Sequence, residues 1–468
     1  MYLAFGARVL AAGALGVAVA ATTAARPAPT PPAQASVVIT PGTWRLQQES
    51  RQRPSTTAEC EQAMQIACYN PGQMEQPYSL PALYSRGITG KGTTIVIVDP
   101  YGSPTIASDL RNFDSTENVP DPPSLRIIRP AGKVPAFSGN NANMVGWASE
   151  TTLDVEYAHT IAPGANILLV ETPGGGSAGT VSMPQIVTAE NYVIGHHLGD
   201  VISQSFVATE QAVGSAGIQS LRGAYLAAYS HHVTVLAGSG DSGASGFESN
   251  QRSYYTYPVT AWPASDPLVT GVGGTRLNLD ANGNRNSADT VWNDTYSPTA
   301  NQLVNGNNGP DPLATGGGKS AIFGRPSYQD GVRGVARGHR GVPDISMSAA
   351  CTSAVNVYQS FAGQPAGWYA LCGTSEATPL FAGIVALADQ VAGHPLGLIN
   401  PALYQLASEH APGIVRVQSG NNTVSFRQGG RSHTVYGFGA RSGYNLAVGL
   451  GTVNAQYFVP ELARLAGH

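Results

Sequence analysis

The stretch TTIVIVD at residues 93–99, closed by Pro100, Tyr101 and Gly102, decides the fold. An unbroken β-branched run leads into a single carboxylate, Asp99. Branching at Cβ favours extended backbone, and a run without polar alternation reads as a strand buried on both faces. Such strands belong to parallel sheets covered by helices. Residues 165–170 (ANILLV), 200–206 (DVISQSF) and 233–237 (VTVLA) are further strand candidates. Helical periodicity lies between the strands, at 103–113, 144–161, 181–197 and 218–231. The implied class is α/β, a parallel sheet with helices on both faces. Functional groups are then expected at the carboxyl ends of the strands, where Asp99 and the loop after Ala237 fall.

Composition narrows the function classes. Of the 468 residues, 42% are hydrophobic and only 12% charged, enough apolar material for one large core or at most two. The formal net charge is −4 and no basic stripe is present, which argues against a nucleic-acid partner. Arg8 precedes an apolar run at residues 9–21 and a Pro/Ala-rich tail that ends near residue 36. This reads as an export signal, so the chain is expected to be secreted; an uncleaved membrane anchor is the alternative. Residues 37–75 read as a polar connector, and the globular pattern runs from about residue 76 to 460. Cys60, Cys68, Cys351 and Cys372 make an even count, which suggests two disulfides, paired most simply by proximity as Cys60–Cys68 and Cys351–Cys372. No zinc-ligand spacing occurs among them.

Three places could carry chemistry. Read as a helix, residues 144–161 put Trp147, Glu150, Asp154, Ala158 and Ile161 on one face. Two carboxylates one turn apart on an apolar face can share a proton and titrate as a unit. A solvated acidic face that includes Glu156 is the plainer reading. In residues 371–383 (LCGTSEATPLFAG), Ser375 opens a helix that is apolar almost all round, with Pro379 expected in the first turn. A hydroxyl at a buried helix start suits a nucleophile whose adduct becomes anionic; a simple N-cap is the alternative. In residues 235–246 (VLAGSGDSGASG), a buried strand opens into a Gly/Ser loop bearing Asp241. A protonated Asp there can donate to an oxyanion, although Asp beside Gly is most often a turn residue. Ser203, Gln204 and Ser205 end a buried strand and could line a peptide cleft; polar residues at strand ends are also commonly structural.

At these places the sequence resembles the sedolisin family of serine-carboxyl peptidases. GTSEATPLFAG at 373–383 is similar to the family's nucleophile signature. ETTLDVEYAHTIAPGA at 150–165 resembles its Glu/Asp helix, and SGDSGASG at 239–246 its oxyanion-Asp loop. Supporting stretches follow in family order over about residues 70–458. The resemblance implies a subtilisin-like fold and a peptidase working at acidic pH on peptides or proteins, as an endopeptidase or tripeptidyl-peptidase. It implies Ser375 as nucleophile, Glu150 as its general base, Asp154 as the carboxyl that orients Glu150, and Asp241 as oxyanion donor. A monomer is expected.

The family pattern is broken in two respects. Fewer residues separate the signal from the catalytic region than an independent prodomain needs. The family's calcium positions fall on Arg416 (IVRVQSGNN) and Asn445 (GARSGYNLAVGLG), so that site is expected to be lost and no cofactor is expected. Two rival functions remain. One is a subtilisin-type Asp–His–Ser set from Asp99, His159 and Ser375, although His159 falls beside Val155 and off the Glu150/Asp154 face. The other is a secreted, non-catalytic binding protein on a peptidase scaffold.

Overall fold

The computed structural model describes residues 38–41, 44–45, 52–174 and 181–466. The expected signal segment and Pro/Ala-rich tail lie outside the described residues. The β-branched run forms the strand Thr94–Pro100 at the middle of the main sheet. Its neighbours on one side are Asn166–Thr172 and then Leu125–Ile128. On the other side come Val201–Gln204, Thr234–Gly238 and Thr270–Arg276, and Ile345–Ser348 pairs with the last. All of these pairings are parallel; Thr290–Val291 adds an antiparallel edge.

The alternation along the central strand explains its composition. Ile95 and Ile97 enter the larger core cluster, while Val96 and Val98 enter a second cluster, and all four are fully buried. Successive side chains of a strand point to opposite faces, so a strand covered on both sides must be apolar at every position. The helices Ala142–Ile161 and Thr374–Ala392 pack against each other, and residues of both enter the larger cluster. Met183–Gly195, Glu210–Leu221 and Gly223–Ser230 contribute to the second cluster. The expected single helix over 218–231 is therefore two helices, divided at Arg222.

The chain leaves the central strand for the Leu125–Ile128 edge, returns through Asn166–Thr172, and then crosses to Val201–Gln204 on the opposite side. The strand order thus reverses between Thr94–Pro100 and Val201–Gln204. Beyond the carboxyl ends of those strands the crossover connections diverge and leave a crevice, the usual ligand site of an open α/β sheet. Asp99 and Ser205 both lie there.

Residues 57–69, expected as connector, fold onto the body. The Thr57–Met64 helix is linked to the Ala67–Tyr69 strand by a Cys60–Cys68 disulfide, and that strand pairs with Ser353–Gln359. A second disulfide, Cys351–Cys372, anchors the strand that delivers the Ser375 helix. Among the described residues, no helix is long and apolar enough to cross a membrane.

Candidate active site

The Gly367–Cys372 strand turns at Gly373 into the Thr374–Ala392 helix. Gly373 has φ +125°, a conformation L side chains rarely adopt, so glycine makes this sharp entry possible. Ser375 follows in the first turn and is almost fully buried. Pro379 does not lie in the first turn as expected: the helix begins at Thr374, which places Pro379 in the second turn. Having no N–H, Pro379 cannot bond to the carbonyl of Ser375 four residues earlier. That freed carbonyl meets the hydroxyl of Ser205 at 3.5 Å.

Ser205 was only one of several polar strand-end residues in the sequence, yet it connects the site. Its Oγ donates to Asp154 Oδ1 at 2.8 Å, and its own carbonyl accepts from Ser375 Oγ at 3.4 Å. The solvated acidic face does not exist. Glu150, Asp154 and Glu156 are all fully buried, because the Ala142–Ile161 helix is covered on every side from Trp147 onward. Asp154 is held well above the usual carboxylate range, first by burial and then by the neighbouring charges of Asp99 and Glu150; the Ser205 hydroxyl opposes the shift. Asp99 therefore belongs to this carboxyl group. Burial raises it to about 7, with Thr151 opposing and Glu171 adding to the shift.

Asp241 reaches the same place from the end of Thr234–Gly238. Its Oδ1 accepts from the Thr374 backbone N–H at 2.8 Å and from Thr374 Oγ1 at 2.6 Å. Thr374 Oγ1 in turn accepts from Gly240 N at 3.2 Å. Among the described residues, Asp241 Oδ2 is buried with no hydrogen-bond partner. Burial raises the Asp241 carboxyl to about 7 against the opposing Thr374 hydrogen bonds. At acidic pH it is protonated, with Oδ1 engaged as an acceptor from Thr374.

His159 is placed elsewhere. Its Nε2 lies 2.8 Å from the Pro120 carbonyl and 3.4 Å from Asp114 Oδ1. Burial lowers its pKa to about 4, so the ring is neutral near pH 7. An Asp99–His159–Ser375 triad is not assembled, because the ring is committed to the far end of the helix.

The positions corresponding to the family's calcium ligands do not fit a cation. Arg416 is exposed, and its guanidinium donates to His410 Nδ1 at 3.1 Å. Asn445 Oδ1 accepts from the backbone N–H groups of Ala447 and Val448 at 3.1 and 3.0 Å. One position repels a cation and the other has its oxygen engaged in its own turn.

The profile of the subtilase family matches residues 131–439. The chain is 32% identical over 367 residues to kumamolisin of Bacillus sp. (strain MN-32), covering 77% of this chain and 58% of that protein. It is 26% identical over 318 residues to human tripeptidyl-peptidase 1, covering 65% of this chain and 50% of that protein. The chain thus spans roughly half to three-fifths of the length of these relatives. Among solved structures, it is similar to Pseudomonas sedolisin, a serine-carboxyl proteinase complexed with two molecules of pseudo-iodotyrostatin. That match has a TM-score of 0.66 at 25% identity and covers 84% of this chain and 97% of the other. By profile, sequence and fold, the chain belongs to the subtilase family and, within it, to the sedolisin group of serine-carboxyl peptidases.

Proposed function

We propose that this protein hydrolyses peptide bonds at acidic pH, with Ser375 as nucleophile, Glu150 as general base, Asp154 as its proton-sharing partner and Asp241 as oxyanion donor. The observation that carries the reading is the convergence of a buried carboxyl and a buried hydroxyl on one serine, Ser205, while the residue before the nucleophile holds Asp241. Ser375 Oγ attacks the substrate carbonyl and its proton passes to Glu150. Asp154, held above the usual carboxylate range, shares that proton. The oxyanion accepts from protonated Asp241, and collapse expels the amine, which takes the proton. Water, deprotonated by Glu150, then releases the acyl group as a carboxylic acid and restores Ser375. A carboxylate base in place of imidazole moves the working range below the titration of histidine.

The apolar segment at residues 9–21 behind Arg8 supports export of the chain. The test of the function is cleavage of a mixed peptide library from about pH 2.5 to 8, a range spanning carboxyl and imidazole titration. Acidic activity that falls by about 10⁴-fold or more in Ser375→Ala is expected. A folded protein that cuts nothing at any pH, or whose activity survives that substitution, would refute the reading.

A further inference from the structure

Two successive helices of this chain end alike. Met183–Gly195 runs out through His196 and His197 into Leu198, and Gly223–Ser230 through His231 and His232 into Val233. The backbone closes on the last turn in the same way in each: Leu198 N donates to the Val193 carbonyl and Val233 N to the Ala228 carbonyl. The residue before each donor is left-handed, His197 at φ +52° and His232 at φ +57°. Glycine or asparagine usually fills that position, because a larger side chain there is strained. Strain kept at two matching places points to a use for the side chain.

A third helix ends beside them. Thr374–Ala392 closes at Gly393 and is followed by His394. Gly397 then packs on the His232 backbone, and its carbonyl accepts from Thr234 Oγ1 at 2.7 Å. The rings of His197 and His231 meet edge to face with centroids 5.2 Å apart, and His196 stacks on Tyr192 at 4.0 Å. Half of the ten histidines thus gather at the amino ends of Val201–Gln204 and Thr234–Gly238, the end of the sheet away from Ser375. All five are exposed. Each follows a helix carboxyl end, where backbone carbonyls favour a cation.

The surroundings add positive charge and apolar surface. Gln390 Oε1 accepts from the N–H groups of Thr89, Gly90 and Lys91, which brings the segment bearing the exposed Arg86 and Lys91 to this end. Tyr192, Leu226, Tyr229 and Val391, near the ends of the three helices, are exposed as well. The nearby carboxylates are turned inward. Glu190 accepts from Gln204, Asp200 from Thr94 N, and Asp389 from Leu396 N, while Asp266 pairs with Arg222. Toward the Leu125–Ile128 edge, burial is the chief cause that raises Asp114 and Glu117 to about 8 and 7, so both are uncharged in acid; Asp121 is the exposed carboxyl of that edge. Imidazole takes up a proton below about pH 6.5. In acid, this end of the molecule is therefore both basic and apolar.

We propose that the histidine-bearing end is an acid-dependent docking surface for an anionic lipid bilayer, with the imidazoles, Arg86 and Lys91 over the headgroups and Tyr192, Leu226, Tyr229 and Val391 at the interface. Tyrosine partitions to the headgroup level, and each basic side chain near an anionic surface adds attraction. The apolar groups stand on the ends of three separate helices, which suits a flat partner. Docking in this way leaves the Ser375 end of the sheet facing solution.

The test uses the full chain with vesicles of phosphatidylglycerol and phosphatidylcholine in equal parts, and with phosphatidylcholine alone. Each is run at about pH 5 and about pH 7.5, on either side of imidazole titration. Hydrogen exchange with and without vesicles reports which amides are covered, and so separates this face from the apolar segment at 9–21. Slowed exchange of residues 192–197 and 226–232 is expected on the anionic vesicles at about pH 5 only. A variant combining His196→Gln, His197→Asn, His231→Gln and His232→Asn keeps a residue that tolerates left-handed backbone at 197 and 232. It should lose that protection and about 10-fold or more in vesicle affinity, with the melting temperature and the peptide-cleaving rate unchanged. Protection that persists in this variant, that is equal at the two pH values, or that appears on phosphatidylcholine alone would overturn the proposal. So would acid-dependent protection by soluble polygalacturonate with none by vesicles, which would make the partner an acidic polysaccharide. A chain that cleaves no peptide yet docks in this way would refute the peptidase reading and leave this inference standing.

Discussion

Ser205 joins Asp154 to Ser375: its hydroxyl donates to the carboxylate at 2.8 Å and its carbonyl accepts from the nucleophile at 3.4 Å. The hydroxyl stabilises the ionised form of Asp154 and so opposes the upward push of burial. In Ser205→Ala the backbone carbonyl stays and only this support is lost. The Asp154 carboxyl then rises further, the base form is scarcer at low pH, and the acidic limb of the rate profile moves upward. A hydrogen bond to a charged group contributes about 1.5–3 kcal/mol, so kcat should fall roughly 10- to 100-fold with KM little changed. An unchanged acidic limb would remove Ser205 from the machinery.

Asp241 sets the other limb. Its carboxyl is raised to about 7, so it is protonated and able to donate below that pH and loses the proton as pH rises through it. Activity is expected to decline through pH 7. Asp241→Asn keeps a donor and should flatten that decline while retaining part of kcat. Asp241→Ala removes the donor and should cost about 10²–10³-fold in kcat. Rate profiles of the three proteins decide the matter.

Stability should follow the same direction. Asp99, Asp114, Glu117 and Glu190 are raised to about 7, 8, 7 and 8, in each case chiefly by burial. A carboxyl raised in the folded state contributes stability that is fully present below its unfolded value, near 4, and is lost as pH rises through 7 to 8. His159, lowered to about 4, acts in reverse as pH falls from about 6.5 toward 4. The carboxyls outnumber it. The melting temperature is expected to be lower at pH 8 than at pH 5 by about 5 °C or more. Glu190→Gln should shrink the difference, since an amide at that position can still accept from Gln204. Calorimetry at the two pH values measures both effects.

A pocket of about 40 Å³ lies beside Asp241, walled by Val207, Thr209, Phe247 and Val259. One water needs about 10–15 Å³ of such space, so the pocket takes a small group such as a methyl or hydroxymethyl most readily. Peptides with Ala or Ser on the acyl side of the cut should exceed those with Phe by about 10-fold or more in kcat/KM. A preference for Phe in a matched peptide series would show that the pocket receives another part of the substrate.

Calcium should be dispensable. Arg416 engages His410, and the Asn445 side chain caps its own turn. Chelation is expected to leave the melting temperature and the rate unchanged, and added calcium should raise neither. Thermal unfolding with EDTA and with calcium provides the comparison.

What the sequence determined by itself is local. The run at 93–99 could only be a strand covered on both faces, and Glu150 and Asp154, four residues apart, had to share a helix face. Ser375 read as the opening of a helix that is apolar almost all round. Family order in the motifs named the fold and the four candidate residues. Three things depended on tertiary packing. Glu156 reads from its neighbours as solvated, and it is buried because elements remote in sequence cover the helix on every side. Ser205 gains its place only when the strand ending at Gln204 comes to lie beside both the Ala142–Ile161 and Thr374–Ala392 helices. The pairings of residues 38–41 and 44–45 join segments more than 100 residues apart. Periodicity reports which face of an element is apolar and carries no information on which distant edge that element will meet. Those choices are made by burial and by backbone hydrogen bonds that exist only once the sheet has formed.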